Sequence, residues 1–74
     1  MEMYGVKGFP DGADIPTVAL QVRALSLERA VQLAAARPIA AGLRLEALHI
    51  GGALKDYGEG VRYEGPWPWP GRSS

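Results

Sequence analysis

The residues of this chain whose types could support catalysis are one histidine, His49, and four acids in predicted loops. The acids are Asp11, Asp14, Asp56 and Glu59, and cysteine is absent. No Ser-His-Asp or Cys-His arrangement can be built around His49, and the spacing of the acids matches neither an EF-hand nor a pair of catalytic carboxylates. We therefore interpret His49 as a partly exposed strand residue and the acids as solvated turn residues. The sequence predicts a non-enzymatic protein without a metal or a cofactor.

The side chains that favour binding are basic and aromatic. Arg23, Arg44 and Arg62 lie on separate predicted strands, and their parity could place them together on the sheet face that no helix covers. Such a stripe could contact an acidic protein surface or phosphate groups. The alternative is that they are ordinary solvated strand residues beside Gln21 and Glu46.

Two tryptophans, Trp67 and Trp69, stand in the proline-rich segment Pro66–Pro70, which favours an extended path. Either they pack back on the domain and hide part of a sheet face, or they remain available to a partner. If docked, each indole would bury roughly 150–250 Å², which is a large share of a small core.

Length and composition limit the classes of protein further. The chain has 74 residues, enough for one domain, and a core of this size is marginal. Without disulfides, homo-oligomerisation is the most natural additional source of stability, so a homodimer is possible. Eight basic and eight acidic residues give zero net charge, which argues against direct nucleic-acid binding as the main role. Residues 1–10 lack the features of a secretion signal and no apolar stretch approaches a membrane span, so we expect a cytoplasmic protein.

The first half of the chain predicts two strands. Met3–Phe9 is a short strand with Tyr4 and Val6 on one face, and its two glycines, Gly5 and Gly8, favour an edge position. After a turn and a loop, Thr17–Ala24 alternates with a period of two, as expected for a half-buried strand. Its apolar face comprises Val18, Leu20, Val22 and Ala24.

A helix follows the second strand. Ser26 is a favourable N-cap, and Glu28 places negative charge in the first turn. Pro38 pushes Arg37 out of the α region, so the helix should stop near residue 36. Apolar residues at helical spacing predict the buried stripe. They are Leu27, Ala30, Val31, Ala34 and Ala35.

The third strand, Leu43–Ile50, has less regular faces, because Leu48 and Ile50 have the opposite parity to Leu43 and Leu45. Either a bulge near residues 47–48 lets both sets reach the core, or Leu48 and Ile50 form an apolar patch that favours a dimer. We favour the patch.

The last elements are a short strand at Ala53–Tyr57 and a glycine turn into Val61–Glu64, which together read as a hairpin. The predicted fold is α+β, an antiparallel sheet of four to five strands with one α-helix on one face, in the order β-β-α-β-β-β. Residues 1–65 form the domain and residues 66–74 a Pro/Trp-rich tail.

Residues 17–64 resemble a family of small phage-encoded proteins that includes a type I-F anti-CRISPR inhibitor. The shared pattern comprises the alternating strand, Ser26-Leu27 with Ala30 and Leu33-Ala34, Gly42 before Leu43-Arg44-Leu45-Glu46, and then Gly52, Leu54, Tyr57, Glu59-Gly60 and Arg62-Tyr63. The resemblance implies a sheet crossed by one helix. It also implies a function that occupies a surface of a CRISPR surveillance complex and blocks target DNA without catalysis.

Our first hypothesis is therefore a phage or mobile-element inhibitor that acts in the host cytoplasm on a protein or ribonucleoprotein complex. The expected contact residues are Arg23, Arg44, Arg62, Tyr63, Trp67 and Trp69. The second is a homo-oligomeric structural or accessory phage protein in which Leu48 and Ile50 pair with a second copy.

Overall fold

A computed structural model describes residues 2–52 and 58–67. Its elements, in chain order, are β1 (Glu2–Phe9), β2 (Val18–Ala24), α1 (Leu27–Ala35), a 3-10 turn (Pro38–Ala40), β3 (Arg44–Gly52) and β4 (Gly60–Pro66). The strands form one antiparallel sheet in the order β3-β1-β2-β4, and α1 packs on one face of it. The predicted α+β class is confirmed. The additional strand predicted at Ala53–Tyr57 lies outside the described residues.

The position of β1 differs from the prediction. It lies in the middle of the sheet, between β3 and β2, whereas its glycines had favoured an edge. Packing accounts for at least one of them: a Cβ on Gly8 would lie 2.8 Å from Cδ1 of Leu43. In β1 the glycine therefore marks a close approach of a neighbouring side chain and not a weak edge strand.

The core lies between α1 and the sheet. Val6, Leu20 and Val22 are the largest fully buried side chains, which confirms the alternation predicted for the first two strands. They contact Tyr4, Ala24, Ala30 and Ala34, and partly buried residues from the remaining elements close the cluster. The buried residues of α1 are Ala30 and Ala34, so the helix presents small side chains to the sheet.

The helix begins as predicted, but its buried stripe is displaced. Ser26 is the N-cap, and its Oγ accepts a hydrogen bond from the backbone N–H of Arg29 at 3.2 Å. Ala30 and Ala34 are buried, whereas Leu27 is 45% exposed and Ala35 is also exposed. Leu33 packs against the core in their place. The stripe predicted at Leu27 and Ala35 was therefore wrong at its margins, because the helix turns Leu33 toward the sheet.

The helix α1 ends close to the position predicted from Pro38. Arg37 adopts an extended backbone, and Pro38 opens a single 3-10 turn that the sequence pattern did not reveal. Gly42 then takes a φ of 76°, a left-handed conformation that allows the chain to reverse into β3.

Both edge strands contain a bulge. In β3 the extra residue is Ile50, between the pairs Tyr4–His49 and Met3–Gly51. It does not lie near residues 47–48, so the proposed bulge there was wrong. Leu48 and Ile50 are each 42% exposed, as the apolar-patch alternative requires. In β4 the extra residue is Arg62. Bulges of this kind interrupt the ladder at a sheet edge and change the direction of a side chain.

Candidate binding surface

The sheet face opposite α1 is the candidate binding surface. We call it the open face and define it by the residues whose register places them there. They are Met3, Lys7, Phe9, Ala19, Gln21, Arg23, Arg44, Glu46, Leu48 and Tyr63. Its central positions have little or no side chain: Gly5 is buried, and Ala19 is fully buried between its partners Lys7 and Gly65. The open face is therefore shallow at its centre, with its larger side chains around it.

Arg44 occupies one corner of the open face, at the start of the edge strand β3. Its guanidinium carbon lies 4.5 Å from the centroid of the Phe9 ring, and Nη1 donates to the carboxylate of Glu46. Phe9 is only 6% exposed, whereas Arg44 and Glu46 remain exposed. The cation–π contact and the ion pair hold the arginine over the ring while leaving its charge accessible to a partner.

Arg23 lies at the opposite end of the sheet, on β2, where it pairs with Met3. Its Nε donates a hydrogen bond to the carbonyl oxygen of Gly58 at 3.2 Å, and the side chain is partly buried. Arg23 therefore contributes to holding the segment that precedes β4. It does not extend freely from the face as the sequence interpretation allowed.

Arg62 lies on β4, beside the strand that carries Arg23, and apart from Arg44 on the opposite edge strand. As the bulge residue of β4 it lines a groove between that strand and the end of α1, together with Leu33 and Ala36. The three arginines predicted to share one stripe thus occupy the two ends of the open face and a groove beside β4. Parity counting placed them together, but the bulge shifts the register within β4 and the strand order separates β3 from β4.

The aromatic candidates partly cover the open face. The Tyr63 ring lies against Gly65, since a Cβ on that glycine would approach Cζ of the tyrosine to 2.9 Å. The Trp67 backbone N–H donates to the carbonyl oxygen of Thr17 at 3.2 Å, and Nζ of Lys7 lies 5.4 Å from its ring centroid. Trp67 therefore packs back on the domain, one of the two alternatives considered for the tail. Trp69 lies outside the described residues.

Glu59 has a role that the sequence interpretation missed. It was interpreted as a solvated turn acid, but its side chain is only 19% exposed, its Oε1 lies 2.8 Å from Nη2 of Arg29 and its Oε2 accepts from the Leu25 N–H at 2.9 Å. The hydrogen bond from Arg29, followed by that from the Leu25 backbone, lowers the pKa of the Glu59 carboxyl below its usual value. No local signal could reveal this, because Arg29 is 30 positions away in the sequence.

His49 is exposed, as expected for a strand residue at a sheet edge. Its Nε2 lies 2.5 Å from Oε1 of Glu2, and its ring meets the Tyr4 ring edge-on at 5.6 Å. Asp11 and Asp14 are exposed near the turn after β1, while Asp56 lies outside the described residues. Within residues 2–52 and 58–67, no three acids or histidines are grouped closely enough to hold a metal ion.

Comparisons with known proteins do not place the chain in a family: no family model, no curated protein and no solved structure matches it. Among the described residues, no helix has the length and apolar character needed to cross a membrane.

Proposed function

We propose that this chain is a non-enzymatic binding protein that docks on a partner through its open face. The proposal rests on the observation that α1 covers one face of the sheet and leaves the other face open. The opposite side keeps exposed charged and apolar groups together on β3, namely Arg44, Glu46 and Leu48. Because these groups include both signs of charge and a leucine, a mixed protein surface is a better complement for them than a uniformly anionic one.

The specific form of this proposal is an anti-CRISPR protein that binds a host surveillance complex in the cytoplasm and blocks target DNA. It is supported by the resemblance described above and by the sheet crossed by one helix, which the resemblance implies. Zero net charge supports contact with the protein part of such a ribonucleoprotein in preference to its nucleic acid. A shared architecture alone does not determine activity, so the partner has to be tested directly.

The test is inhibition of target-DNA binding by purified surveillance complexes of several subtypes, with and without the protein. We expect inhibition by the wild type and its loss in Arg44→Glu and Leu48→Glu, which change exposed groups of the open face. Ile15→Glu is the matched control, since Ile15 is an exposed apolar residue in the loop between β1 and β2. Unchanged DNA binding with every subtype would remove the anti-CRISPR proposal. An equal loss of inhibition in Ile15→Glu would show that the open face is not the contact surface.

A second candidate function is that of a homo-oligomeric accessory protein. It is favoured by the exposure of Leu48 and Ile50 on the edge strand β3. Light scattering at micromolar concentration distinguishes the two proposals: a dimer that Ile50→Glu converts to a monomer supports self-association. A wild-type monomer argues against it while leaving the inhibitor proposal intact.

A further inference from the structure

A groove separates the C-terminal end of α1 from β4, on the side of the molecule away from β3. It has a volume of about 480 Å³, which is within the usual range for sites that accept small molecules. Its apolar lining comes from Leu33 and Ala36 of the helix end and from Val61 of the strand. Leu33 and Val61 also pack against the core, so this part of the groove rests on the hydrophobic core.

The groove is lined by two positive side chains, Arg37 and Arg62, and by one negative side chain, Glu64. Nε of Arg37 lies 2.5 Å from Oε1 of Glu64, and this pair raises the pKa of the arginine. Arg62 is exposed and has no ion-pair partner among residues 2–52 and 58–67. One positive charge thus remains beside the apolar lining, and it stands on a bulge, a feature that commonly directs a side chain toward a binding site.

The strand that borders the groove is an edge strand. Within the described part of the chain, β4 pairs with β2 alone, so no described strand pairs with the main-chain groups along its outer side. A strand edge next to a helix is the arrangement used for β-augmentation, in which an extended peptide adds a strand and inserts alternate side chains into a pocket. Main-chain pairing favours a peptide over a small molecule as the occupant of such a groove.

We infer that the groove between α1 and β4 binds an extended acidic peptide, which adds to the β4 edge. An apolar side chain of the peptide contacts Leu33 and Val61, and a neighbouring carboxylate pairs with Arg62. This site shares Tyr63 with the open face, but it does not depend on the function proposed for that face. It would allow the chain to hold an acidic segment of one protein while its open face contacts another surface.

The test uses a short fluorescein-labelled peptide that alternates glutamate with valine, and a second peptide with lysine in place of each glutamate. Fluorescence anisotropy measures affinity, and NMR amide shifts locate the site. We expect micromolar binding of the acidic peptide, with shifts at Tyr63 and Glu64. Arg62→Gln should weaken it by about tenfold through loss of a charge-assisted contact. Ala36→Trp, at an exposed position, should abolish binding by filling the groove.

Arg44→Gln is the matched control, since it removes an exposed arginine from the opposite edge strand; it should bind the acidic peptide like the wild type. Circular dichroism verifies that each variant is folded. Equal affinity for the acidic and lysine peptides would overturn the inference. So would undiminished binding by folded Arg62→Gln and Ala36→Trp variants, or amide shifts confined to β3.

Discussion

Glu59 and Arg29 join two parts of the chain that are 30 positions apart, with Oε1 of the acid 2.8 Å from Nη2 of the arginine. Since the same carboxylate accepts the Leu25 N–H, it ties the corner between β2 and α1 to the segment that enters β4. Arg23 reaches the same segment through Gly58. The start of the last strand is thus held by hydrogen bonds to the preceding structure.

Replacing Glu59 with Gln should lower the melting temperature by a few degrees, because the amide keeps the shape of the carboxylate but loses its charge. The ion pair is partly screened by solvent, so complete unfolding is not expected. Thermal unfolding followed by circular dichroism measures the change. Asp14→Asn is the control, since Asp14 is an exposed loop acid without an ion-pair partner among the described residues; an equal drop in both variants would contradict a specific role for Glu59.

The same carboxyl should make stability depend on pH in the acid range. Arg29 and the Leu25 N–H hold the pKa of folded Glu59 below its ordinary value of 4.5. A lowered folded-state pKa adds stability above the ordinary value, and this contribution disappears as the pH falls from 4.5 through the folded-state pKa. Urea unfolding at a series of pH values should therefore show a steeper acid loss for the wild type than for Glu59→Gln. Parallel curves would rule out this linkage.

Ser26→Ala should destabilise the domain by about 1 kcal/mol, since the Arg29 N–H loses its capping acceptor. Ser26→Asp should restore most of this stability, because aspartate caps as well as serine and favours the N-terminal helix dipole. Chemical denaturation measures both. If the alanine variant is as stable as the wild type, the capping bond contributes nothing measurable.

Gly65→Ala should destabilise the sheet by about 1 kcal/mol or more, because the new methyl group would overlap the Tyr63 ring. In a Tyr63→Ala background the same change should cost much less, since the overlapping ring is absent. The double-mutant cycle, measured by chemical denaturation, isolates this contact. A cost of Gly65→Ala that is independent of Tyr63 would place its origin elsewhere.

Local patterns in the sequence were sufficient for the types and approximate positions of the main elements. Alternation defined β2, because successive strand side chains point to opposite faces whatever the strand pairs with. Ser26 and Pro38 defined the ends of α1 for a similarly local reason, since caps and proline act on neighbouring backbone groups. The position of β1 could not be inferred in this way, because Gly8 is required by contact with Leu43, on a different part of the chain.

For the binding surface, the sequence by itself determined which residue types were available, and that no cysteine or second histidine could support common kinds of catalytic or metal site. Only the tertiary structure decided their arrangement. Register against β1 places Arg23 and Arg44 at opposite ends of the sheet, and the bulge residue Arg62 lines a groove. Ion pairing changes Glu59 from an apparent turn acid to a link between distant segments. These relationships depend on register and on contacts across many intervening residues, which local periodicity does not encode.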